Sequence, residues 1–202
     1  MRRLKEPAVH RFREKGSVFL TELHPAPGAE ARTAVLAALR KRDHDATHHC
    51  SAWRQGAPLE AQGSDDDGEP SGTAGRPMLA VLEGAGVTDL VAVCIRWFGG
   101  TKLGSGGLVR AYTEGVQGAL AAADAAGAWE SVRILRTGLL RVPEAQAHLP
   151  YTFLGAFPQA EVLERSYADG AAALRFQVPP DQADALAHAW RERSRGGSVD
   201  WE

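Results

Sequence analysis

The chain has 202 residues, 44% of them hydrophobic, and a formal net charge of −2 at pH 7. That apolar content supports a packed core and argues against wholesale disorder. The near-neutral balance gives no global pull toward nucleic acid or an anionic membrane, so any polyanion site has to be a local patch.

The N-terminal stretch MRRLKEPAVHRFREKG is basic but has no apolar run behind it, unlike a secretory signal. Residues 7–23 read as two extended pieces around Gly16, and a helix follows from about Gly28 to Arg42 with Ala31, Val35 and Leu39 on one stripe. ATHHCSAWR, residues 46–54, alternates like a strand, with Cys50 and Ala52 on one face and His49 and Trp53 on the other. Residues 55–75 are rich in Gly, Ser, Asp and Pro and read as one long loop. A short helix is predicted over Pro77–Leu82, where the proline suits a first turn. The run Leu90–Ile95 is apolar throughout, as a strand buried on both faces would be. A glycine-dense turn then leads into a helix over about Gly107–Ala126, its core face marked by Leu108, Tyr112, Val116 and Leu120.

A boundary is expected near Gly127–Arg136, giving domains 1–132 and 133–202. The second reads as a strand over 133–142, a helix within 144–157, two strands hinged at Asp169-Gly170, a helix over 181–193 and a last short strand. That order, βαββαβ, is the ferredoxin-like pattern. The fold class is therefore α+β. No run approaches the roughly 18 apolar residues of a membrane span, and a cytoplasmic location is expected. Cys50 and Cys94 lack the spacing of a zinc site or a disulfide framework and read as buried thiols.

Two segments carry the chemistry. Ser64–Pro77 crowds Asp65, Asp66, Asp67 and Glu69 into five positions, which repel one another unless cations or donors offset them. One reading is a hard-cation site on Asp66, Asp67 and Glu69 with His48 as acid or base, the basis of a metal-dependent hydrolase of a phosphate ester or small metabolite. The other is a salt-bridged clamp onto Arg76, Arg96 or Lys102. The second segment, Arg96–Tyr112, joins Gly99, Gly100, Gly104, Gly106 and Gly107 to Lys102 and Arg110 without an acidic residue. Glycines allow close backbone approach, and the helix that follows turns free N–H groups and its positive end toward the same place. Those are the parts of an anion or phosphate site. The spacing matches neither a Walker A loop nor a dinucleotide fingerprint, and no Gly-x-Ser-x-Gly elbow exists. Tyr112 and Phe98 are read as core. His48 and Cys50, two apart on a strand, point outward in parallel and do not make a nucleophile–base pair.

ATHHCSAWR, SDDDGEPSGTAGRPML and RWFGGTKLGSGGLVRAY, in that order, resemble the signature of the YigZ/IMPACT family over roughly residues 8–127, with KGSVFL fitting its opening strand. The acidic loop has one aspartate more than the family's pair, which Asp66 and Asp67 fit best. The resemblance implies a first domain folded like domain 2 of ribosomal protein S5 and a second akin to the last domain of elongation factor G. It also implies a place in translational regulation, the role of the eukaryotic relatives. The expected function is binding rather than catalysis, of RNA, the ribosome or a translation-factor protein, through Arg76, Arg96, Lys102, Arg110 and the five glycines. No cofactor and no membrane contact are expected.

Overall fold

The strand Leu90–Trp97 sits at the centre of the first half, and its sequence explains why. The computed structural model describes residues 1–195 and 197–202, and in it the chain divides into two compact units, Met1–Val132 and Arg133–Glu202. In the first, the elements in order are β1 (Arg2–Leu4), β2 (Ala8–Glu14), β3 (Ser17–Pro25), α1 (Ala29–Arg42), β4 (His48–Gln55), β5 (Ala61–Asp65), α2 (Gly75–Gly84), β6 (Val87–Thr88), β7 (Leu90–Trp97), α3 (Ser105–Ala125) and β8 (Trp129–Ser131). Five strands form an antiparallel sheet in the order β2-β3-β7-β4-β5. β7 is buried along almost its whole length. Leu90, Ala92 and Cys94 face one core, with Tyr112 and Val116 of α3 and Met78 of α2. Val91, Val93 and Ile95 face a second, smaller core with Leu39 of α1. Helices thus cover both faces, which is why the strand reads as continuous apolar sequence rather than alternation.

Two expectations are corrected. The predicted long loop contains β5, an edge strand paired with β4. Its residues, AQGSD, carry no apolar alternation because backbone hydrogen bonds and a close approach hold it: a Cβ on Gly63 would collide with the Trp53 ring. The strand signal at 87–98 is split at Asp89, whose φ is +55°. Its Oδ1 accepts the Gly56 N–H at 2.8 Å, tying the break to the end of β4.

The second unit contains β9 (Arg136–Pro143), a 3₁₀ turn at Glu144–Gln146, α4 (His148–Leu154), β10 (Glu161–Ala168), β11 (Ala171–Val178), α5 (Pro180–Arg193) and β12 (Asp200–Trp201). Its sheet runs β10-β11-β9-β12, all antiparallel. With the βαββαβ order this is the split-βαβ arrangement. Phe176, Leu140, Leu186 and Trp190 fill its core. Among the described residues no helix is long and apolar enough to cross a membrane.

Candidate anion-binding cleft

The acidic loop joins β5 to α2, and its carboxylates take separate partners. Asp66 caps α2: its Oδ1 accepts the N–H groups of Ala74 (3.0 Å) and Gly75 (2.8 Å), and its Oδ2 accepts that of Gly72 (2.7 Å). Burial pushes the Asp66 carboxyl up, but those N–H groups more than offset it, and its pKa lies below the usual value. Asp67 is paired with Arg40 of α1 at 2.6 Å and accepts the His49 backbone N–H at 2.6 Å. It too is held below the usual carboxylate value, because Arg40 and that N–H outweigh its burial. Asp65 Oδ1 accepts the Asp67 N–H. Glu69 turns inward, where Oε1 accepts from Arg96 at 2.5 Å and from the Tyr112 hydroxyl at 2.7 Å.

The alternative metal reading of Asp66, Asp67 and Glu69 is thereby corrected. Each carboxylate is committed to a different donor, and among the described residues no three metal-binding side chains converge. The loop is the salt-bridged clamp instead, with Arg40 and Arg96 as its cations. Arg40 was missed because nothing in sequence links a helix 27 residues upstream to Asp67.

The basic residues are distributed as unevenly. Arg96 is 4% exposed and already neutralised by Glu69, so it is not the free cation expected of it. Arg76 lies in a groove between α2 and α3, and Arg110 on another side of α3 with Glu14 and Lys15. Lys102 is exposed and, among the described residues, has no ion-pair partner. It stands beside the start of α3, whose N-cap is Gly104 with no capping side chain.

The glycines differ in their reasons. Gly100 and Gly104 have φ of +86° and +75°, a region that favours glycine. Gly99 lies against the backbone of Gly16 in the β2–β3 turn, where a Cβ has no room. Gly107 packs on Leu103, and Gly106 stands beside the Arg110 side chain.

The acidic loop and the glycine turn meet at one cleft of about 420 Å³. The loop contributes Gly68, Glu69 and Pro70; the entry to β4 contributes Thr47 and His48; β7 and the turn contribute Arg96, Phe98, Lys102, Gly104 and Ser105. Phe98, read from sequence as core, is 46% exposed on this cleft, while Tyr112 is fully buried. Phe98 lies just past the end of β7, where strand alternation no longer dictates burial. Ser105, in the first turn of α3, carried no signal apart from its glycine neighbours. His48 Nδ1 is 2.8 Å from the Asp67 carbonyl oxygen, which only accepts, so Nδ1 donates there, and Nε2 lies 3.8 Å from Glu69 Oε1. The thiols are not nucleophiles: burial raises Cys50, which hydrogen-bonds the Asp66 carbonyl and Tyr112, and burial pushes Cys94 up to about 12.

Residues 15–120 match the model of the Impact N-terminal domain, which spans strands β3 to β7, the acidic loop and most of α3. The chain belongs to the IMPACT family. The IMPACT family member YigZ of Escherichia coli is 52% identical over 108 residues, 52% of this chain and 53% of that protein. The match thus spans about half the length of that relative. A solved structure described as that of a hypothetical protein aligns with 99% of this chain and 95% of its own at 33% identity, with a TM-score of 0.60. A structure described as the two-domain translational regulator Yih1 aligns with 59% of this chain and 46% of its own at 28% identity, with a TM-score of 0.35. The IMPACT match accounts for the first unit, the one that holds the cleft.

Proposed function

We propose that this IMPACT-family chain is a translation-associated binding module whose first unit holds phosphate groups of RNA, free or ribosomal, at the cleft between the acidic loop and α3. One observation carries the reading. Asp66, Asp67 and Glu69 are each held by protein donors, whereas among the described residues Lys102 has no ion-pair partner and the start of α3 has no capping side chain, beside an exposed aromatic ring. An unpaired lysine and free helix N–H groups attract an anion, and an aromatic face on the rim gives a base a surface to stack on. The translational setting extends to this chain what family resemblance implies of its eukaryotic relatives. Arg110 and Arg76, away from the cleft, have the role of steering the backbone of a longer strand.

Polarisation of a labelled single-stranded RNA, titrated with the full chain at several salt concentrations, tests the reading. Binding weakens steeply with salt because counterions are released on association. Lys102→Glu weakens it at least tenfold, and Arg110→Glu weakens it less. RNA binding that ignores both substitutions and salt overturns the proposal.

A further inference from the structure

β2 is an edge of the five-stranded sheet: it pairs with β3 and, among the described residues, with no strand on its other side. The turn between the two strands fixes which backbone groups of β2 are left over. Lys15 and Gly16, with φ of +46° and +82°, lie between the paired residues Glu14 and Ser17, a two-residue turn of the kind that matches hairpin twist. The residues flanking such a turn hydrogen-bond each other. Along an antiparallel ladder, hydrogen-bonded and non-hydrogen-bonded pairs then alternate. Glu14, Phe12 and His10 therefore bond to β3, whereas Arg13, Arg11 and Val9 turn their N–H and C=O groups to the open side. The side chains of those three residues also share a face. Phe12 stacks on Phe19, and His10 lies against Gly118 of α3, where a Cβ would collide with its ring. Alternation puts Val9, Arg11 and Arg13 on the opposite face. All three are exposed, Val9 by 48%. Among the described residues neither arginine has an ion-pair partner. Glu22, the carboxylate across from Val9, is already held by His24 and Arg42.

We infer that β2 is a docking edge for an extended acidic segment of a partner protein. The segment adds antiparallel as a further strand, with one carboxylate opposite Arg13, a second opposite Arg11 and an apolar side chain opposite Val9. Main-chain bonds to the open edge supply attraction, and opposite charges facing across strands supply selectivity. The open row alternates N–H with C=O, which another strand matches fully; a nucleic-acid phosphate uses only the donors and leaves the carbonyls unmatched. A second copy of β2 fits worse. Two identical antiparallel edges related by a two-fold axis set residues of like parity opposite one another, so full overlap places Arg11 against Arg11 or against Arg13. Like charges directly opposite are destabilising. The arginines thus bar the self-association to which an open edge is prone and leave it free for a carboxylate-bearing strand. None of the three residues lines the cleft, so the inference stands apart from the phosphate reading.

The test follows the amides of the full chain by NMR during titration with the peptide Thr-Glu-Thr-Glu-Thr-Val-Thr. Its lysine-for-glutamate counterpart, a form N-methylated at both glutamates and an RNA oligonucleotide serve as comparisons. The acidic peptide should slow exchange of the Val9, Arg11 and Arg13 amides and leave the His10 and Phe12 amides, already bonded to β3, as before. It should bind about tenfold more tightly than the lysine peptide. N-methylation should abolish the protection, because those N–H groups are the ones that reach the Arg11 and Arg13 carbonyls. Arg11→Glu with Arg13→Glu, on exposed side chains, should reverse the preference in favour of the lysine peptide, and Lys102→Glu should change neither. Equal binding of the acidic and lysine peptides, binding without protection of the three amides, or no shift at millimolar acidic peptide overturns the inference. So does an RNA oligonucleotide that shifts Arg11 and Arg13 where the acidic peptide does not, which assigns the arginines to RNA.

Discussion

Replacing Glu69 by Gln separates the clamp from a merely convenient surface contact. The Glu69 and Arg96 side chains are 3% and 5% exposed and lie 2.5 Å apart. Water therefore does not screen the pair, and Coulomb attraction at that separation dominates any surface contact. The substitution keeps the shape and an acceptor for Tyr112 but leaves the Arg96 guanidinium enclosed without a counter-charge. Removing one partner of a buried pair costs about 3–5 kcal/mol. With a urea dependence of about 2 kcal/mol per molar, the unfolding midpoint of the first unit falls by roughly 2 M. Arg96→Met strands Glu69 instead and costs a similar amount, about 3–5 kcal/mol. The double variant leaves no buried charge at this pair, and its loss should be smaller than the sum of the singles by about 3 kcal/mol. Urea unfolding read by hydrogen exchange on β4 and β7 keeps the second unit out of the measurement. Additive losses, or singles below about 1 kcal/mol, would show that Arg96 is hydrated in solution and refute the reasoning.

Asp66→Ala should cost about 1–2 kcal/mol by uncapping α2, with Asp66→Asn retaining much of that; exchange rates of the Gly72, Ala74 and Gly75 amides report it directly. Acid should unfold the first unit in two windows. Burial and the nearby Arg40 depress His49 from 6.5, so the unfolded chain takes up a proton first and stability falls as pH drops below 6.5, then levels off below the folded value. His49→Phe flattens that limb in thermal melts. Glu22 is lowered from 4.5 to about 2, by its hydrogen bond to His24 and then by Arg42, so its stabilisation is complete above pH 4.5 and lost between 4.5 and about 2. The loss there is on the order of 2 kcal/mol, below the full shift because Arg42 is half exposed, and Glu22→Gln removes it. Gly99→Ala should disorder the glycine turn, because its Cβ meets the Gly16 backbone; loss of exchange protection at the β2–β3 turn, with the second unit unchanged, is the expected readout.

The periodic elements were open to sequence reading because burial follows local spacing. Leu108, Tyr112, Val116 and Leu120 mark α3, and the unbroken run Leu90–Ile95 announces a strand covered on both faces. The glycine turn and the acidic loop were visible as compositions, and the three motifs sufficed to place the chain in its family. Pairing was not visible. β5 is held by backbone hydrogen bonds, which no side-chain alternation records. Which cation meets which carboxylate depends on contacts across the sheet: Arg40 reaches Asp67 from α1, and Arg96 reaches Glu69 from β7. Sequence supplied a list of charges of both signs. The tertiary structure decided which charges neutralise each other and, among the described residues, left Lys102 without an ion-pair partner, because electrostatic pairing is set by distance in space and not by order along the chain.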